Sequence, residues 1–425
     1  MFDFRKQAWL LLCALLWALT PCLWAGGSQL TWEDCLQELI TTHPELEAAR
    51  EALVKARSDV RAAYAPFLPQ ISASAGATKS HTEQETGSQE STSYNINLTA
   101  SQNLFSGFHN QALLRQSRAL LSAAEMNFQI IKATLSYNLT QAFARLLYAQ
   151  EFIQLAETIS ARRRENVNLV EMRFAAGREN KGSFLRSKAY YRQALFETTQ
   201  SQRDIKVAQQ QMAVALGRRD GSGIIIAGLW ETNVPPAAPD FRELAQHSPE
   251  YQQAAAQLEA THQNVRLAAS DFYPQWSISG TIGRRDSEHI IPEQEYWSIG
   301  TALSYPLFTG GRSWYALRGA QAMHRAAAAR LIHSANQLAA ALEEKFAAWQ
   351  DAMERMDVQA EFLQAAEVRS TIAHQQYQNG LLSFEDWDLI ENDLIDRQKT
   401  MLASQRDAIL ARAAWEKALG VGSIP

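Results

Sequence analysis

Residues 67–74 read FLPQISAS, and residues 272–279 read FYPQWSIS, 205 positions further along the chain. The sequence SQRD at residues 201–204 recurs at residues 404–407, now with a shift of 203 positions. Matches this far apart, occurring in the same order, indicate that one structural unit is present twice. The change in the shift predicts a small difference in length between the two copies. This duplication limits the architecture more strongly than composition does.

Each PQ sequence is followed by a segment in which apolar and small polar residues alternate. In the first copy Ile71 and Ala73 alternate with serines, and in the second copy Trp276 and Ile278 do the same. A period of two residues predicts β-strands. A polar loop is expected between the two strands of each copy, at residues 79–90 in the first, and it is shorter in the second. The strands are predicted at about residues 70–78, 92–104, 275–284 and 296–305.

The composition of these strands favours a membrane location. Their polar faces consist mainly of Ser, Thr, Gly and Asn, as expected for a wall that faces a wet lumen. Aromatic residues gather near the strand ends, as in the interfacial girdles of membrane barrels. The alternative is two soluble hairpins that each cover a core with one face. The aromatic residues are Phe67, Phe105, Phe272, Tyr273, Tyr305 and Phe308 at one end, and Tyr296 and Trp297 at the other.

A very long helix is predicted after the second strand of each copy. Neither proline nor glycine occurs in residues 108–174 or in residues 320–379. At about 1.5 Å per residue, each stretch would form a rod of roughly 90–100 Å. Apolar residues recur at a spacing near 3.5, which predicts a packed seam with a neighbouring helix and left-handed coiling.

The rods are expected to turn at equivalent places, because Gly177 and Gly380 are positioned to end a helix. Return helices follow, and a segment rich in proline and glycine then separates the copies. The domain organisation predicted is therefore a first repeat at residues 26–217, a linker at 218–240 and a second repeat at 241–425.

Residues 1–25 have the pattern of an export signal. Arg5 and Lys6 precede an apolar stretch that is short for a transmembrane anchor, and Ala25 marks a plausible cleavage site. Cys22 is an alternative, lipid-modified first residue, although the proline before it argues against this. Cys35 is then the sole cysteine of the mature chain, which excludes a disulfide framework and a zinc site.

The sequence contains no pattern typical of an enzyme. There is no Ser-His-Asp set, no pair of Cys or His at metal spacing and no phosphate-binding glycine loop. The net charge of −5 gives no indication of nucleic-acid binding. We therefore expect no catalytic residues, no cofactor, no metal and no nucleic-acid partner.

Four strands in lipid require assembly with other chains. Lipid cannot satisfy the hydrogen-bonding groups of an open sheet edge, so strands that cross a bilayer must close into a barrel. Single-chain barrels have about eight strands or more. Two copies of this chain would give eight strands and a lumen filled by side chains, whereas three copies would give twelve and an open lumen. A homotrimer is the prediction.

Several motifs, found in this order and in part twice, resemble the TolC family of outer-membrane efflux proteins. The resemblance covers essentially the whole mature chain from Leu30. The motifs are HPEL at residues 43–46, PFLPQ at 66–70, LFSG at 104–107, PLFTGG at 306–311, YQNG at 377–380 and SFED at 383–386.

The resemblance implies a mixed fold of α-helices and transmembrane β-strands. Long coiled helical hairpins and four strands per chain would assemble as a trimeric twelve-stranded barrel with an α-helical periplasmic tunnel. It also implies an outer-membrane exit duct for efflux or type I secretion, coupled to an inner-membrane transporter through a periplasmic adaptor. A soluble periplasmic coiled-coil adaptor or scaffold is the alternative. The cargo, whether drugs, metal ions or proteins, is left open.

In the family, the turns at the inner end of the tunnel form the gate and contact the adaptor. An acidic ring narrows the family's entrance. Asp386 falls at its first acidic position, while the second carries Leu389. From this correspondence and the charged or apolar character of the turns, the candidate tip residues are Phe174, Gly177, Arg178, Glu179, Lys181, Tyr377, Gly380, Leu382 and Asp386.

Overall fold

The computed structural model of the chain describes residues 29–84, 87–228 and 234–425. The export signal expected at residues 1–25 lies outside these residues, as does part of the expected linker. The first copy consists of helices α1 (Trp32–Thr42) and α2 (Pro44–Ala62), strands β1 (Gln70–Gln84) and β2 (Gly87–Ser106), and helices α3 (His109–Ala175) and α4 (Lys181–Leu216).

The second copy repeats this order of elements. It consists of helices α5 (Phe241–His247) and α6 (Pro249–Ser270), strands β3 (Gln275–Asp286) and β4 (Gln294–Ser304), and helices α7 (Arg312–Gln378) and α8 (Phe384–Leu419). The predicted mixed fold of long helical hairpins and four strands is confirmed.

The four strands form one antiparallel sheet in the order β1-β2-β3-β4. Its register places the apolar residues of all four strands on the same face, because Ala73 pairs with Leu98, Leu98 with Ile282, and Ile282 with Trp297. Trp297 is 75% exposed in the single chain. Within this sheet β1 and β4 each have one edge without a partner strand. The chain therefore presents a continuous apolar face and two open edges.

The hairpin of β1 and β2 extends beyond the other two strands. The β2–β3 pairing ends at Tyr94 and Asp286, whereas residues 79–84 of β1 remain paired with β2 in the stretch that was predicted to be a loop. That loop prediction was wrong for residues 79–84 and 87–90, because alternation disappears where both faces are polar although the backbone ladder continues. Cross-strand contacts support the ladder there, including a hydrogen bond of 2.8 Å between the Ser80 and Ser91 hydroxyl oxygens.

The long helices α3 and α7 have 67 residues each, and their return helices α4 and α8 have 36 each. At about 1.5 Å per residue, the longer helices span roughly 100 Å. Helix α3 packs against α4 on one side and against α8 on the other, and α8 packs against α7. The four helices thus form a layer in the order α4-α3-α8-α7, with α4 and α7 at its edges.

Each return helix ends against the start of a shorter helix. Gly217, with φ +79°, closes α4 and lies against Pro44, the first residue of α2. Gly420, with φ +73°, closes α8 and lies against Pro249, the first residue of α6. A positive φ favours glycine, and proline is favoured in the first turn of a helix. The duplication is therefore visible in the contacts as well as in the sequence.

A small layer covers one face of α3 near its middle and of α4 near its C-terminal end. We call it the strap, and it consists of α1 and residues 224–227. Leu30 bridges to Ile226 in parallel, and Ile226 is buried in a core shared with α1, α3 and α4. The described first half of the expected linker is thus packed rather than loose. Cys35 lies in the same core, and burial raises the pKa of its thiol to about 12.

Among the described residues, no helix has the length and apolar character needed to cross a membrane.

The surroundings of Gly177 and Gly420 predict that alanine at these two helix ends lowers the free energy of unfolding by different amounts. Gly177 has φ +70° with open space around it, so Gly177→Ala should lower the free energy of unfolding by about 1 kcal/mol from backbone strain. Gly420→Ala should cost clearly more, because its Cβ would also overlap the ring of Pro249. Thermal unfolding in detergent, followed by circular dichroism, compares the two. If the two variants lose the same free energy of unfolding, the close contact between Gly420 and Pro249 is contradicted.

Candidate functional site

The end of the helical layer farthest from the sheet contains the two predicted turns, and we call this end the tip (residues 173–184 and 373–387). Helix α3 ends with Gly177 in the left-handed region, and the Arg178 N–H donates to the Arg173 carbonyl at 2.9 Å. Helix α7 ends in the same way, because Gly380 has φ +75° and the Leu381 N–H donates to the Gln376 carbonyl at 2.9 Å. Both glycines terminate helices, as predicted.

Tyr377 lies at the centre of the tip and is fully buried within the chain. Its ring stacks on the indole of Trp387, with centroids 4.3 Å apart and an interplanar angle of 5°. Phe384 completes the group at 6.3 Å from Tyr377. Aromatic pairs of this kind contribute about 0.5–1.5 kcal/mol beyond the area that they bury. Tyr377 therefore braces α7 against α8.

Arg173 and Glu179 connect Tyr377 to the other turn. The Arg173 guanidinium lies 4.5 Å from the centre of the Tyr377 ring and donates a hydrogen bond of 2.7 Å to the Tyr377 carbonyl. The Tyr377 hydroxyl donates to Glu179 at 3.0 Å. Burial, together with the hydrogen bond to Glu179, raises the pKa of the Tyr377 hydroxyl. The sequence pattern predicted both Tyr377 and Glu179 at the tip, and the structure places them in contact.

The remaining candidate residues are not gathered around Tyr377 in one cluster. Phe174 stacks on Phe184 with centroids 5.7 Å apart, and Leu382 packs beside the aromatic group. Arg178 and Lys181 are exposed on the first turn. The first turn therefore has an exposed, positively charged surface and a stacked pair of phenylalanine rings.

Asp386 forms a local hydrogen-bonding pattern at the start of α8. Its carboxylate accepts a hydrogen bond of 2.7 Å from the Ser383 hydroxyl, and its own N–H donates back to that hydroxyl at 3.2 Å. Leu389, at the second position of the expected acidic ring, is 63% exposed. Among the described residues, no group of three or more His, Cys, Asp or Glu could hold a metal ion. In the single chain Ser383 is therefore the N-cap of α8, and Asp386 is the third helical residue that pairs with it.

Sequence reasoning missed a group of charged residues above the tip, which we call the ion cluster (Arg162, Arg163, Arg186, Asp388 and Glu391), and of these Arg163, Asp388 and Glu391 are buried. Glu391 is 1% exposed and accepts hydrogen bonds from Arg162 at 2.7 and 2.9 Å. It also accepts from the Ser370 hydroxyl at 2.5 Å and from Asn166 at 3.2 Å. These bonds join α3, α7 and α8 at one level of the layer.

Asp388 is the second buried carboxylate of the ion cluster, and its environment is less favourable for charge. It lies 3.0 Å from Arg186 and 3.8 Å from Arg163. Burial raises the pKa of Asp388 despite the two arginines, and burial also lowers the pKa of Arg163. Burial acts on Glu391 in the same direction, but the hydrogen bonds from Arg162 and Ser370 hold the pKa of Glu391 below its ordinary value.

One sequence signal marks the ion cluster in retrospect. Asp388 and Glu391 follow Phe384 at helical spacing and precede Ile395 on the same face of α8. A carboxylate within the apolar stripe of a long helix indicates a buried partner, because an unpaired buried charge is very unfavourable. Because α8 contains many charged residues, its sequence alone suggests that Asp388 and Glu391 belong to a solvated surface.

Comparison with known proteins identifies a matching family. The sequence model of the family described as outer membrane efflux protein matches residues 35–218 and 241–421. These two segments cover both copies and leave out the segment between them.

Individual relatives are distant but extend over most of the chain. Nodulation protein T of Rhizobium leguminosarum bv. trifolii is 21% identical over 415 residues, which cover 94% of this chain and 86% of that protein. The pyoverdine export outer membrane protein OpmQ of Pseudomonas putida is 24% identical over 405 residues, covering 89% and 83%. Among solved structures, the outer membrane protein VceC of Vibrio cholerae is 24% identical with a TM-score of 0.81, covering 92% of this chain and 96% of that chain.

The two carboxylates of the ion cluster predict opposite pH dependence. The pKa of Glu391 is lowered on folding, so its charge stabilises the fold above its ordinary value of 4.5, and this is lost at lower pH. The pKa of Asp388 is raised, so its contribution declines as pH rises above 3.8. At pH 7, Glu391→Gln should lower the free energy of unfolding by about 2 kcal/mol, and Asp388→Asn by less.

Thermal unfolding of both variants at pH 4 and pH 7, relative to wild type, tests this assignment. Between pH 4 and pH 7 the Glu391→Gln variant should lose stability relative to wild type, and the Asp388→Asn variant should gain. Parallel behaviour of the two variants would show that their environments are equivalent, contrary to the geometry.

Proposed function

Because the chain belongs to the outer membrane efflux protein family, we propose that it is a passive exit duct that assembles as a homotrimer in the outer membrane. The observation that carries the trimer is the sheet, which combines one continuous apolar face with two open edges. Hydrocarbon would cover the apolar face, and the polar face of Ser, Thr, Asn and Gly would line a lumen.

Closure of the sheet defines the number of chains in the duct. The open edge of β4 in one protomer would pair with the open edge of β1 in the next, so that no edge remains in lipid. Three chains supply twelve strands, which leave a lumen wide enough for solutes. The β4 edge and the β1 edge are different surfaces of the chain. When such an interface is repeated around a rotation axis, the protomers form a closed ring.

The edges of the helical layer support the same arrangement. Helix α4 exposes Phe196 and Val214, and α7 exposes Ile332 and Val358. Apolar stripes of this kind, at opposite edges of one layer, indicate contacts with neighbouring copies. Three layers would enclose a periplasmic tunnel that continues the barrel.

The tip is the part of the duct that we assign to gating and to partner contact. Arg173, Glu179 and Tyr377 connect its two turns, so a change in their contacts would alter the separation of the turns. Arg178 and Lys181 are exposed at the end of the tunnel, where a periplasmic adaptor would dock. The energy for transport would come from an inner-membrane transporter that the adaptor couples to the duct. The soluble adaptor or scaffold alternative has no support in the family match.

The membrane location of the sheet predicts opposite outcomes for lysine on its two faces. Leu98 lies in the middle of the apolar stripe of β2, so Leu98→Lys should destabilise the barrel by about 2–4 kcal/mol. Thr99→Lys, one residue later, places the same charge on the lumen face and should be tolerated. The assay is recovery of trimer in the outer membrane after salt and alkaline washing.

The wild-type protein and the Thr99→Lys variant should remain in the washed membrane fraction, and the Leu98→Lys variant should be depleted. Release of the wild-type protein by the washes would overturn the proposed duct and favour a soluble scaffold.

The contacts of Tyr377 predict how the tip controls conductance. Tyr377→Ala removes the ring that α7, α8 and Arg173 share, so single-channel conductance in planar bilayers should rise above the closed wild-type level. Tyr377→Phe keeps the stacking and loses only the bond to Glu179, so its effect should be smaller. Asp386→Ala should add little, because its contacts are local to the cap. If the Tyr377→Ala/Asp386→Ala double variant conducts like wild type, the gating assignment is wrong.

A further inference from the structure

Among the described strand residues, Arg285 is the single charged residue on the polar face of the sheet. The register places Arg285 beside Asn95 of β2 and Gln294 of β4, on the face that holds the serines and threonines of all four strands. Over the described strand residues, every other position on this face is uncharged. An isolated charge on an otherwise neutral wall is a distinct electrostatic feature.

The remaining charges of the strands lie on the opposite face, and several are paired there. Lys79 lies 3.0 Å from Glu90, and Arg284 lies 2.5 Å from Glu295. Both pairs connect neighbouring strands at the end of the sheet away from the helices. Their fields largely cancel, since opposite charges lie in contact.

Arg285 differs from these residues in its contacts. Its guanidinium lies 5.5 Å from the centre of the Tyr296 ring, which is also on the polar face. The Tyr296 hydroxyl donates a hydrogen bond of 2.5 Å to Asn97, so the ring is itself held in place. Within the described residues, Arg285 has no ion-pair partner within 4.0 Å. Its positive charge is therefore positioned on the polar face and not neutralised there.

The position along β3 determines where this charge would act. Strand β3 begins next to α6 and ends at Asp286, so Arg285 lies at the end of the sheet farthest from the helices. In the proposed duct this end is the outer mouth. Two carboxylates of the following loop, Glu288 and Glu293, are exposed beyond the strand.

In a barrel of twelve strands, the lumen is narrow enough for the fields of three such charges to reach solutes anywhere across it. With strands about 4.8 Å apart and tilted by about 40°, the barrel radius is roughly 12 Å. No point of the lumen at that level is then more than about 12 Å from the wall, which is close to the Debye length of about 10 Å at 0.1 M salt. At 0.01 M salt the Debye length is about 30 Å, so the three fields overlap across the whole lumen.

We propose that Arg285 forms a ring of three positive charges in the wall of the lumen, which offsets the carboxylates of Glu288 and Glu293 beyond the strand and raises the permeability of the outer mouth to anionic solutes. The proposal rests on the trimeric duct argued above. A potential of about one kT at the ring would raise the local concentration of a monovalent anion roughly threefold. Anions with several charges would be concentrated more strongly. Arg285 is thus a specificity-determining residue of the mouth, separate from the tip.

The test measures the chloride-to-potassium permeability ratio of single channels in planar bilayers, from reversal potentials across a tenfold KCl gradient. Arg285→Ser should lower this ratio about two- to threefold at low salt and by much less near 1 M salt, where the Debye length is about 3 Å. Arg285→Lys, which keeps the charge, should behave like wild type. Both variants are also measured in a Tyr377→Ala background, so that a narrow tip in series does not dominate the selectivity.

Arg284→Ser is the matched control, because it removes an arginine from the adjacent position on the opposite face. It should change the permeability ratio much less, because the wall of the barrel separates Glu295, which the substitution leaves unpaired, from the lumen. The inference is overturned if Arg285→Ser conducts with the wild-type ratio in the Tyr377→Ala background at low salt, or if Arg284→Ser shifts the ratio equally. Absence of any channel activity from the wild-type protein would instead contradict the proposed duct, so the two failures are distinguishable.

Discussion

The unpaired backbone at the two edges of the sheet is the constraint on which the rest of the structure depends. In water an open edge can be hydrated, but in hydrocarbon each unsatisfied N–H or C=O group costs several kcal/mol. The apolar residues of all four strands lie on one face, so the sheet is suited to lipid on that face only. A sheet of four strands with such a face has to find further strands, and other copies of the same chain supply them. The ring of helices follows from that closure, because each hairpin of strands is continuous with a pair of rods.

Duplication explains how one chain produces two similar rods with so few specialised residues. The same junctions recur in both copies: a glycine in the left-handed region closes the return helix, and a proline opens the helix stacked below it. Residues of ordinary helix propensity fill the long stretches between these points. The two copies differ mainly where function is assigned. The first turn of the tip is charged, whereas the second contains the aromatic group around Tyr377.

The features that could be predicted from sequence are those in which the residue type itself dictates the backbone. The alternation of apolar and polar residues predicted the strands, and the glycines at residues 177 and 380 predicted the ends of the long helices. The strand pairing of residues 79–84 with 87–92 was missed because alternation is invisible when both faces are polar. The ion cluster was missed because burial of Glu391 depends on α3, whose Arg162 is 229 residues away in sequence, as well as on the neighbouring α7. Residues 224–227 of the strap were predicted to be a linker, because prolines and glycines are frequent in that segment. Ile224 and Ile226 nevertheless pack in the core.

The distribution of contacts along the helical layer indicates where the layer can change shape. At the tip, one cation–π contact and two hydrogen bonds connect the two turns, and together these contribute only a few kcal/mol. Binding of a partner supplies a free energy of that size. Above the tip, the ion cluster fixes α8 to α3 and α7 through buried charges, and separating them would expose or isolate those charges at a much greater cost. A rearrangement that starts at Tyr377 is therefore expected to stop at Glu391, which leaves the rods in place while the turns move.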